Sequence, residues 1–165
     1  MKILVTGATS GLGRNAVQYL LQSGESVVAT GRNCEVGRSL TNAGAQFVAL
    51  DLTEASEDDC ARLMDGCDAV WHCAAKSSPW GDKTAFWLAN VKVTHTLAQA
   101  AGRLNIPRFI HISTPAVYFD FQHHNDLPET YLARAFSSHY ASSKYAAEQV
   151  IAGAVSRYSA TRFIL

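Results

Sequence analysis

Short apolar runs alternate along this chain with segments whose apolar residues recur at helical spacing. Runs that are almost wholly apolar are typical of a parallel sheet with both faces covered by helices. The right-handed crossover rule then favours an α/β fold with a doubly wound sheet in the strand order 3-2-1-4-5-6. Strands are predicted at residues 3–5, 26–30, 46–50, 69–73, 108–113 and 161–165. Helices are predicted before Gly24, over 35–43, after an N-cap at Thr53, over 84–104 and over 140–158.

The composition narrows the class of protein. The 165 residues include 14 Lys and Arg against 14 Asp and Glu, and 48% are hydrophobic, so one globular domain over 1–165 is expected. Neutral charge disfavours nucleic-acid binding, which needs a basic face, and the apolar content disfavours disorder. No apolar run approaches the roughly 20 residues of a membrane span, and residues 1–3 lead into a strand rather than a signal peptide. A soluble enzyme, a ligand-binding module or a structural domain remains.

The four cysteines predict reduced thiols in a cytoplasmic protein. Cys34, Cys60, Cys67 and Cys73 form no C-x-x-C pair. Although Cys67, His72 and Cys73 are close in sequence, they lack the paired two-residue gaps of structural zinc sites, so no metal is expected.

A glycine-rich turn lies between the first strand and the first helix. Glycines there allow a tight turn and a close approach to a pyrophosphate, while the helix N-terminus offers unpaired N–H groups. The spacing is G-x-x-x-G-x-G rather than G-x-G-x-x-G, and chain geometry alone is the alternative explanation. The predicted dinucleotide contacts in this turn are Gly7, Thr9, Ser10, Gly11, Leu12 and Gly13.

Two strand ends indicate where an adenosine would bind. The second strand is followed by Arg32, whose guanidinium suits a 2′-phosphate, so NADP is predicted with NAD as the alternative. A solvated surface arginine is the competing interpretation. Asp51 and Leu52 follow the third strand, where an acid can accept from the adenine amino group or simply cap the next helix.

Tyr140 and Lys144 form a Tyr-x-x-x-Lys pair at the start of the last predicted helix, one turn apart on one face. A nearby ammonium favours the phenolate, and such a tyrosine can exchange a proton with a carbonyl or alcohol while hydride moves to or from a nicotinamide. Ser113 and Thr114 end the fifth strand, where a hydroxyl can hold the substrate oxygen. A structural aromatic–lysine contact and a plain strand-end hydroxyl are the alternatives.

Taken together, these motifs resemble the extended branch of the short-chain dehydrogenase/reductase superfamily over the whole chain, with a Rossmann-type sheet. The stretch from His72 to Gly81 is most similar to its 3β-hydroxysteroid dehydrogenase-like group. The resemblance rests on the glycine turn, Asp51-Leu52, residues 70–75, Asn90-Val91 with Thr94, residues 113–118, and Tyr140 with Lys144.

The resemblance implies a role for each matching residue. Tyr140 is implied as the general acid/base, Lys144 as its partner and the holder of the nicotinamide ribose, and Thr114 as the catalytic hydroxyl, with Ser113 a less favoured substitute on the substrate side. Further cofactor contacts are implied at Cys73, Ala74, Ala75, Lys76 and Asn90, and a substrate mouth from Lys76 to Trp80.

Two departures from the family pattern affect what can be transferred. Ser10 stands where the extended branch usually has glycine, and Phe119 replaces the glycine after the Val-Tyr pair. The family's residue roles are therefore less transferable to the loop after Phe119. His123, His124 and His139 lie in or beside it and are interpreted as solvated, with contact to substrate as the alternative.

The expected function is an NAD(P)-dependent oxidoreductase that interconverts a secondary alcohol and a ketone on a bulky apolar, sterol-like or 3-oxo/3-hydroxy acid substrate. A sugar-nucleotide epimerase or dehydratase and a non-catalytic dinucleotide-sensing domain are the alternatives, and a homodimer is left open. Because the family continues beyond the last predicted strand, the substrate-binding region is expected to lie outside residues 1–165, which alone should have weak or no activity.

Overall fold

Six parallel strands form one sheet in the computed structural model, which describes residues 1–165. They are β1 (Lys2–Thr6), β2 (Ser26–Gly31), β3 (Gln46–Ala49), β4 (Ala69–His72), β5 (Arg108–His111) and β6 (Arg162–Ile164). Their order is β3-β2-β1-β4-β5-β6, and every neighbouring pair is parallel. The predicted α/β class and strand order are confirmed.

Helices connect the strands. They are α1 (Gly11–Gln22), α2 (Cys34–Asn42), α3 (Glu57–Leu63), α4 (Lys83–Phe86), α5 (Val93–Arg103) and α6 (His139–Arg157). A π-helical segment (Trp87–Lys92) joins α4 to α5, and a 3₁₀ turn (Pro115–Tyr118) follows β5. No helix is both long enough and apolar enough to span a bilayer.

The core has two layers, one on each face of the sheet, because successive side chains of a strand point to opposite faces. Leu4 of β1 lies in a cluster of 18 buried residues that includes side chains from α3, α5 and α6. Its neighbour Val5 lies in a cluster of 11 that includes side chains from α1 and α2. The sheet is thus covered on both faces, as a doubly wound topology requires.

Strand register brings polar side chains together at one edge of the sheet. Thr6 is the register partner of His72, and His72 is the register partner of His111, so the carboxyl ends of β1, β4 and β5 lie side by side. In open parallel sheets, ligands bind outside this edge, at the point where the strand order reverses. The glycine turn after β1 lies at that point.

The predicted N-cap at Thr53 is wrong. The helix begins after Ser56, whose side chain accepts from the Asp59 N–H while the Asp59 carboxylate accepts from the Ser56 N–H. This reciprocal capping box satisfies two N–H groups at the helix start. Thr53 is engaged elsewhere, since its N–H and hydroxyl both donate to Asp51 Oδ1, at 3.0 and 2.7 Å.

The long helix predicted over residues 84–104 is interrupted. α4 and α5 are regular, but residues 87–92 between them form one π-helical stretch. Such stretches often occur at functional sites because they turn a side chain out of the regular helical positions. Here the segment contains Asn90, which is buried.

Candidate active site

The turn between β1 and α1 can be built only with glycine at critical positions. Gly7 and Gly11 have φ of 66° and 48°, a region that favours glycine. A Cβ on Gly7 would lie 2.8 Å from the Ala74 backbone, and one on Gly13 would lie 2.3 Å from the Gly7 carbonyl oxygen. A Cβ on Gly11 would meet nothing within 4 Å, so the turn is open on that side.

The N-terminus of α1 offers unused hydrogen-bond donors beside this opening. Ser10 is the N-cap residue, but its side chain caps no N–H group, and the first turn has no acidic residue. The N–H groups of Gly11 and Leu12 donate to no backbone acceptor of the chain. Free N–H groups and the positive end of a helix dipole suit a phosphate, so this turn fits the diphosphate of a dinucleotide.

The predicted adenosine side contains an exposed ion pair. Arg32 Nη1 lies 3.7 Å from Asp51 Oδ2, with the two side chains 78% and 40% exposed. Hydrogen bonds from Thr53 lower the pKa of Asp51, with a smaller contribution from Arg32. Leu52 is instead buried in the core beneath α3 and α5. Thr9 lies over Gly31, where a Cβ would come within 2.7 Å of the Thr9 hydroxyl.

A chain of hydrogen bonds through His72 joins the turn to α5. The Ala74 N–H donates to Thr6 Oγ1 at 3.1 Å, and Thr6 Oγ1 lies 2.8 Å from His72 Nδ1. On the other side, His72 Nε2 lies 2.9 Å from Thr94 Oγ1, and the Thr94 hydroxyl donates to the Asn90 carbonyl at 2.6 Å. Since a hydroxyl has one proton, His72 must donate from Nε2 and accept at Nδ1. Burial holds its pKa well below the usual range, so the ring is neutral.

Asn90 continues this chain toward α6. Its Oδ1 accepts from the Lys76 N–H at 2.7 Å, and its Nδ2 donates to the Lys76 carbonyl at 3.1 Å and to Ser143 Oγ at 2.9 Å. Ser143 in turn donates to the Tyr140 carbonyl at 2.8 Å. The predicted cofactor residues Asn90 and Lys76 are therefore linked by hydrogen bonds to the first turn of α6.

Tyr140 and Lys144 lie in the first two turns of α6, which begins after the N-cap Ser138. Tyr140 is half-buried, while Lys144 is only 2% exposed. Lys144 Nζ donates to the Ile112 carbonyl at 2.6 Å and lies 3.1 Å from His111 Nε2. Burial lowers the pKa of Lys144 to about 8, against the opposing effects of Glu148 and Cys73. The ammonium is thus held at the carboxyl end of β5.

The two strand-end hydroxyls have different surroundings. Thr114 is the N-cap of the 3₁₀ turn, and its Oγ1 accepts from the Ala116 N–H at 3.3 Å, which leaves its proton free to donate. Ser113 Oγ donates to Glu148 on α6. The substrate role predicted for Ser113 stays a prediction, and the structure places its hydroxyl against a carboxylate.

The predicted substrate mouth is open and aromatic. Trp80 is 81% exposed, and the Lys76 ammonium lies 5.3 Å from the centre of the Phe86 ring. In a separate loop after the 3₁₀ turn, Phe119 and Phe121 are also exposed and contact each other edge to face, with ring centres 4.7 Å apart.

The three loop histidines are exposed, as expected of solvated side chains. One of them also has a partner in the protein: His124 Nε2 lies 2.9 and 3.0 Å from the two Asp120 oxygens, and Tyr131 donates to the same carboxylate. His124 is therefore exposed and hydrogen-bonded at once.

Comparison with known proteins assigns the chain to a family. Residues 3–165 match the NAD dependent epimerase/dehydratase family. The chain belongs to this family. It is 50% identical over 151 residues to the uncharacterized protein YbjS of Escherichia coli (92% of this chain, 45% of the relative). It is 34% identical over 150 residues to a 2-alkyl-3-oxoalkanoate reductase of Shewanella oneidensis (89% and 37%), and 31% identical over 161 residues to a 3 beta-hydroxysteroid dehydrogenase/Delta 5-->4-isomerase of Mycobacterium tuberculosis (91% and 42%).

Solved structures give the same result. The UDP-glucuronic acid 4-epimerase of Bacillus cereus, in complex with UDP-glucuronic acid and NAD, is 27% identical, with a TM-score of 0.85 over 99% of this chain and 55% of that one. The resemblance stated from the motifs is confirmed. This chain spans less than half the length of the three curated relatives.

Sequence reasoning missed the residues that hold the site together, namely Thr6, His72, His111, Ser143 and Glu148. Two features of the sequence could have identified some of these residues. A histidine follows the apolar residues at the end of β4 and of β5, at the carboxyl edge where ligands bind. Ser143 and Glu148 lie on the same helix as Tyr140 and Lys144.

Proposed function

We propose that the protein is a nicotinamide-dependent oxidoreductase that interconverts a secondary alcohol and a ketone. The observation that carries this proposal is the placement of Lys144 Nζ at the end of β5, on the helix that has Tyr140 one turn earlier; Thr114 follows three residues after the end of that strand. Family membership supports it, since the family is defined by nicotinamide-dependent chemistry.

The residues at the turn fit the dinucleotide, which when bound supplies hydride exchange at its nicotinamide ring. Gly7, Thr9, Ser10, Gly11, Leu12 and Gly13 would hold the diphosphate. Arg32 would bind a 2′-phosphate, so we propose NADP with NAD as the alternative. The remaining contacts are proposed at Asp51, Leu52, Cys73, Ala74, Ala75, Lys76 and Asn90, although the burial of Leu52 limits it to supporting Asp51.

Tyr140 transfers the proton, and two other side chains assist it. The Tyr140 phenol gives its proton to the ketone oxygen during reduction and takes one from the alcohol during oxidation. Lys144, on the same helix one turn after Tyr140, has a pKa of about 8 and is mostly charged at pH 7, so it would hold the nicotinamide ribose as an ammonium. Thr114, whose proton is free, donates to the substrate oxygen and holds it beside Tyr140.

The substrate that we propose is bulky and apolar, of the sterol or 3-oxo/3-hydroxy acid type. The exposed Trp80, Phe119 and Phe121 support this, because aromatic side chains are suited to bind apolar surfaces. Relatives named as a 3-oxoalkanoate reductase and a hydroxysteroid dehydrogenase point the same way. The remainder of the substrate site is proposed to lie outside residues 1–165, so these residues alone should turn over little or no substrate.

A second candidate is a sugar-nucleotide epimerase, favoured by the 27% identity to the UDP-glucuronic acid 4-epimerase. An epimerase returns its cofactor unchanged, whereas a dehydrogenase consumes it. Net change in nicotinamide absorbance during turnover separates the two. Cofactor oxidation screened against sterol, 3-oxo acid and aromatic ketones would identify the substrate class.

Replacing Tyr140 by Phe tests the proposed chemistry in the full-length protein. Y140F lacks only the phenolic oxygen, so we expect turnover to fall at least about a hundredfold, as for loss of a general acid, while the dissociation constant of the dinucleotide stays unchanged. Y145F, on the same helix, is the matched control and should keep activity. Retained turnover in Y140F would rule out its role.

A further inference from the structure

His111 is a buried polar residue for which the proposed chemistry has no role. It ends β5, is 1% exposed, and lies with Nε2 3.1 Å from Lys144 Nζ. Because an ammonium only donates, Nε2 must accept and the ring proton must be on Nδ1. Burial, with a further contribution from Lys144, lowers the pKa of His111 to about 3, so the ring is neutral.

The other ring nitrogen of His111, Nδ1, makes no hydrogen bond. Nδ1 is buried and has no hydrogen-bond partner in the chain. The nearest ring, His72, is 5.2 Å away between centres, and both of its nitrogens are already used by Thr6 and Thr94. A buried N–H without a partner costs stability, so fold stability does not explain a histidine here. The contact with Lys144 is what the imidazole provides.

The groups around Lys144 show what that contact does. Glu148 faces it from α6, but its carboxylate accepts from Ser113. The neutral His72, at the end of β4, and Cys73, directly after that strand, are the other titratable neighbours. The His111 ring and the Ile112 carbonyl accept from Nζ directly, which fixes two of its three N–H groups.

We propose that His111 is a positioning residue: its Nε2, together with the Ile112 carbonyl, holds the Lys144 ammonium so that the third N–H remains for the dinucleotide ribose and the charge stays one helical turn from Tyr140. The role of Tyr140 and the ribose rests on the proposed function, while the contact itself does not. A neutral acceptor stabilises the ammonium without adding a charge that would compete with the ligand for it.

Two variants separate this role from simple space filling. H111F keeps a ring of similar size but removes the acceptor, so the buried ammonium loses a stabilising partner and Lys144 releases its proton at a lower pH. H111Q restores an acceptor atom near the position of Nε2 and should behave like the parent protein.

The first measurement needs no ligand. The pKa of Lys144 is about 8 in the folded protein and about 10.5 in the unfolded chain. Between these pH values the unfolded chain binds more protons, so this group makes the free energy of unfolding rise with pH. In the full-length protein, urea unfolding from pH 6.5 to 10 should show that rise beginning about one pH unit lower in H111F and at the parental pH in H111Q.

The second measurement is the dissociation constant of NADP⁺ over the same pH range. Affinity in the parent protein should fall as Lys144 loses its proton above pH 8. At pH 7.5, H111F should bind NADP⁺ about tenfold more weakly, because the charged hydrogen bond from Lys144 is no longer held in place. The affinity of H111F should also begin to fall at a lower pH than that of the parent protein. H111Q should match the parent protein in both respects. An unshifted H111F profile, or equal shifts in both variants, would overturn the positioning role. If the parent protein bound no dinucleotide, the proposed function would fail, and the unfolding profiles would still decide the contact.

Discussion

Two histidine-centred clusters lie in this chain, one around His72 at the edge of the sheet and one around His124 in the loop between the 3₁₀ turn and α6. Both rings use nitrogens for hydrogen bonds to neighbouring side chains. His72 is 1% exposed and bonds to two neutral hydroxyls, whereas His124 is in an exposed loop and bonds to the Asp120 carboxylate. The residue type is the same, and burial separates the two cases.

Burial determines how much each cluster constrains the fold. Inside the protein every donor and acceptor needs a partner, so the Thr6–His72–Thr94 chain permits only one tautomer of the ring. In the loop, water can replace any partner that is lost, and exposed ion pairs contribute little. We therefore expect substitutions in the buried cluster to have large effects and those in the exposed clusters to have small ones.

H72L should produce the largest effect on stability. Leucine fills a similar volume but leaves the Thr6 O–H without an acceptor, which costs about 1–3 kcal/mol, while the Thr94 hydroxyl keeps only its bond to the Asn90 carbonyl. Urea unfolding of the full-length protein at pH 7 measures the loss.

H95L, on the exposed side of α5, is the matched control, because its side chain bonds only to Gln99 at the surface. Its free energy of unfolding should stay within about 0.5 kcal/mol of the parent. Equal losses in H72L and H95L would remove the distinction between buried and exposed histidines.

R32Q should have an intermediate effect, seen in binding rather than in folding. Arg32 and Asp51 form an exposed pair, so stability should hardly change, but loss of a charged hydrogen bond to a 2′-phosphate should weaken NADP binding by about tenfold or more. Dissociation constants for NADP and NAD measure this, with R38Q on α2 as the control. NAD binding should be unchanged in R32Q, and a parental preference for NAD would reject the assignment of Arg32.

The fold was more predictable from the sequence than the site, for a physical reason. Strand order follows from hydrophobic periodicity and crossover handedness, which are properties of each segment and its neighbours in the chain. The partners of His72 come from β1 and α5, 66 and 22 residues away, and no periodicity encodes which hydroxyl faces which nitrogen.

The helix start at Ser56 shows the same limit at short range. Thr53 is an acceptable N-cap by residue type, but Asp51 binds it in a turn, and Ser56 with Asp59 forms the better pair. The placement of Tyr140 and Lys144 one turn apart on a helix, and of the glycine turn before α1, was predictable because their spacing is local, while their roles stay predictions. Thr114 and the substrate contacts at Lys76, Trp80 and Ser113 stay predictions.

Of the three substitutions H72L, R32Q and H124L, the last should produce the smallest effect. Hydrogen bonds from Tyr131, and to a smaller extent from His124, lower the pKa of Asp120 to about 2 in the folded protein. The ionised carboxylate therefore stabilises the folded state at any pH above the pKa of Asp120 in the unfolded chain. That stabilisation is lost only as the pH falls toward 2. At pH 7 the Tyr131 hydroxyl still binds Asp120 after His124 is removed, so the carboxylate keeps a hydrogen-bond donor. The urea midpoint of H124L should therefore match that of the parent protein within error from pH 5 to 8. A loss as large as that of H72L would mean that the Asp120 cluster is a structural element of the loop, and that exposure alone does not tell the two histidines apart.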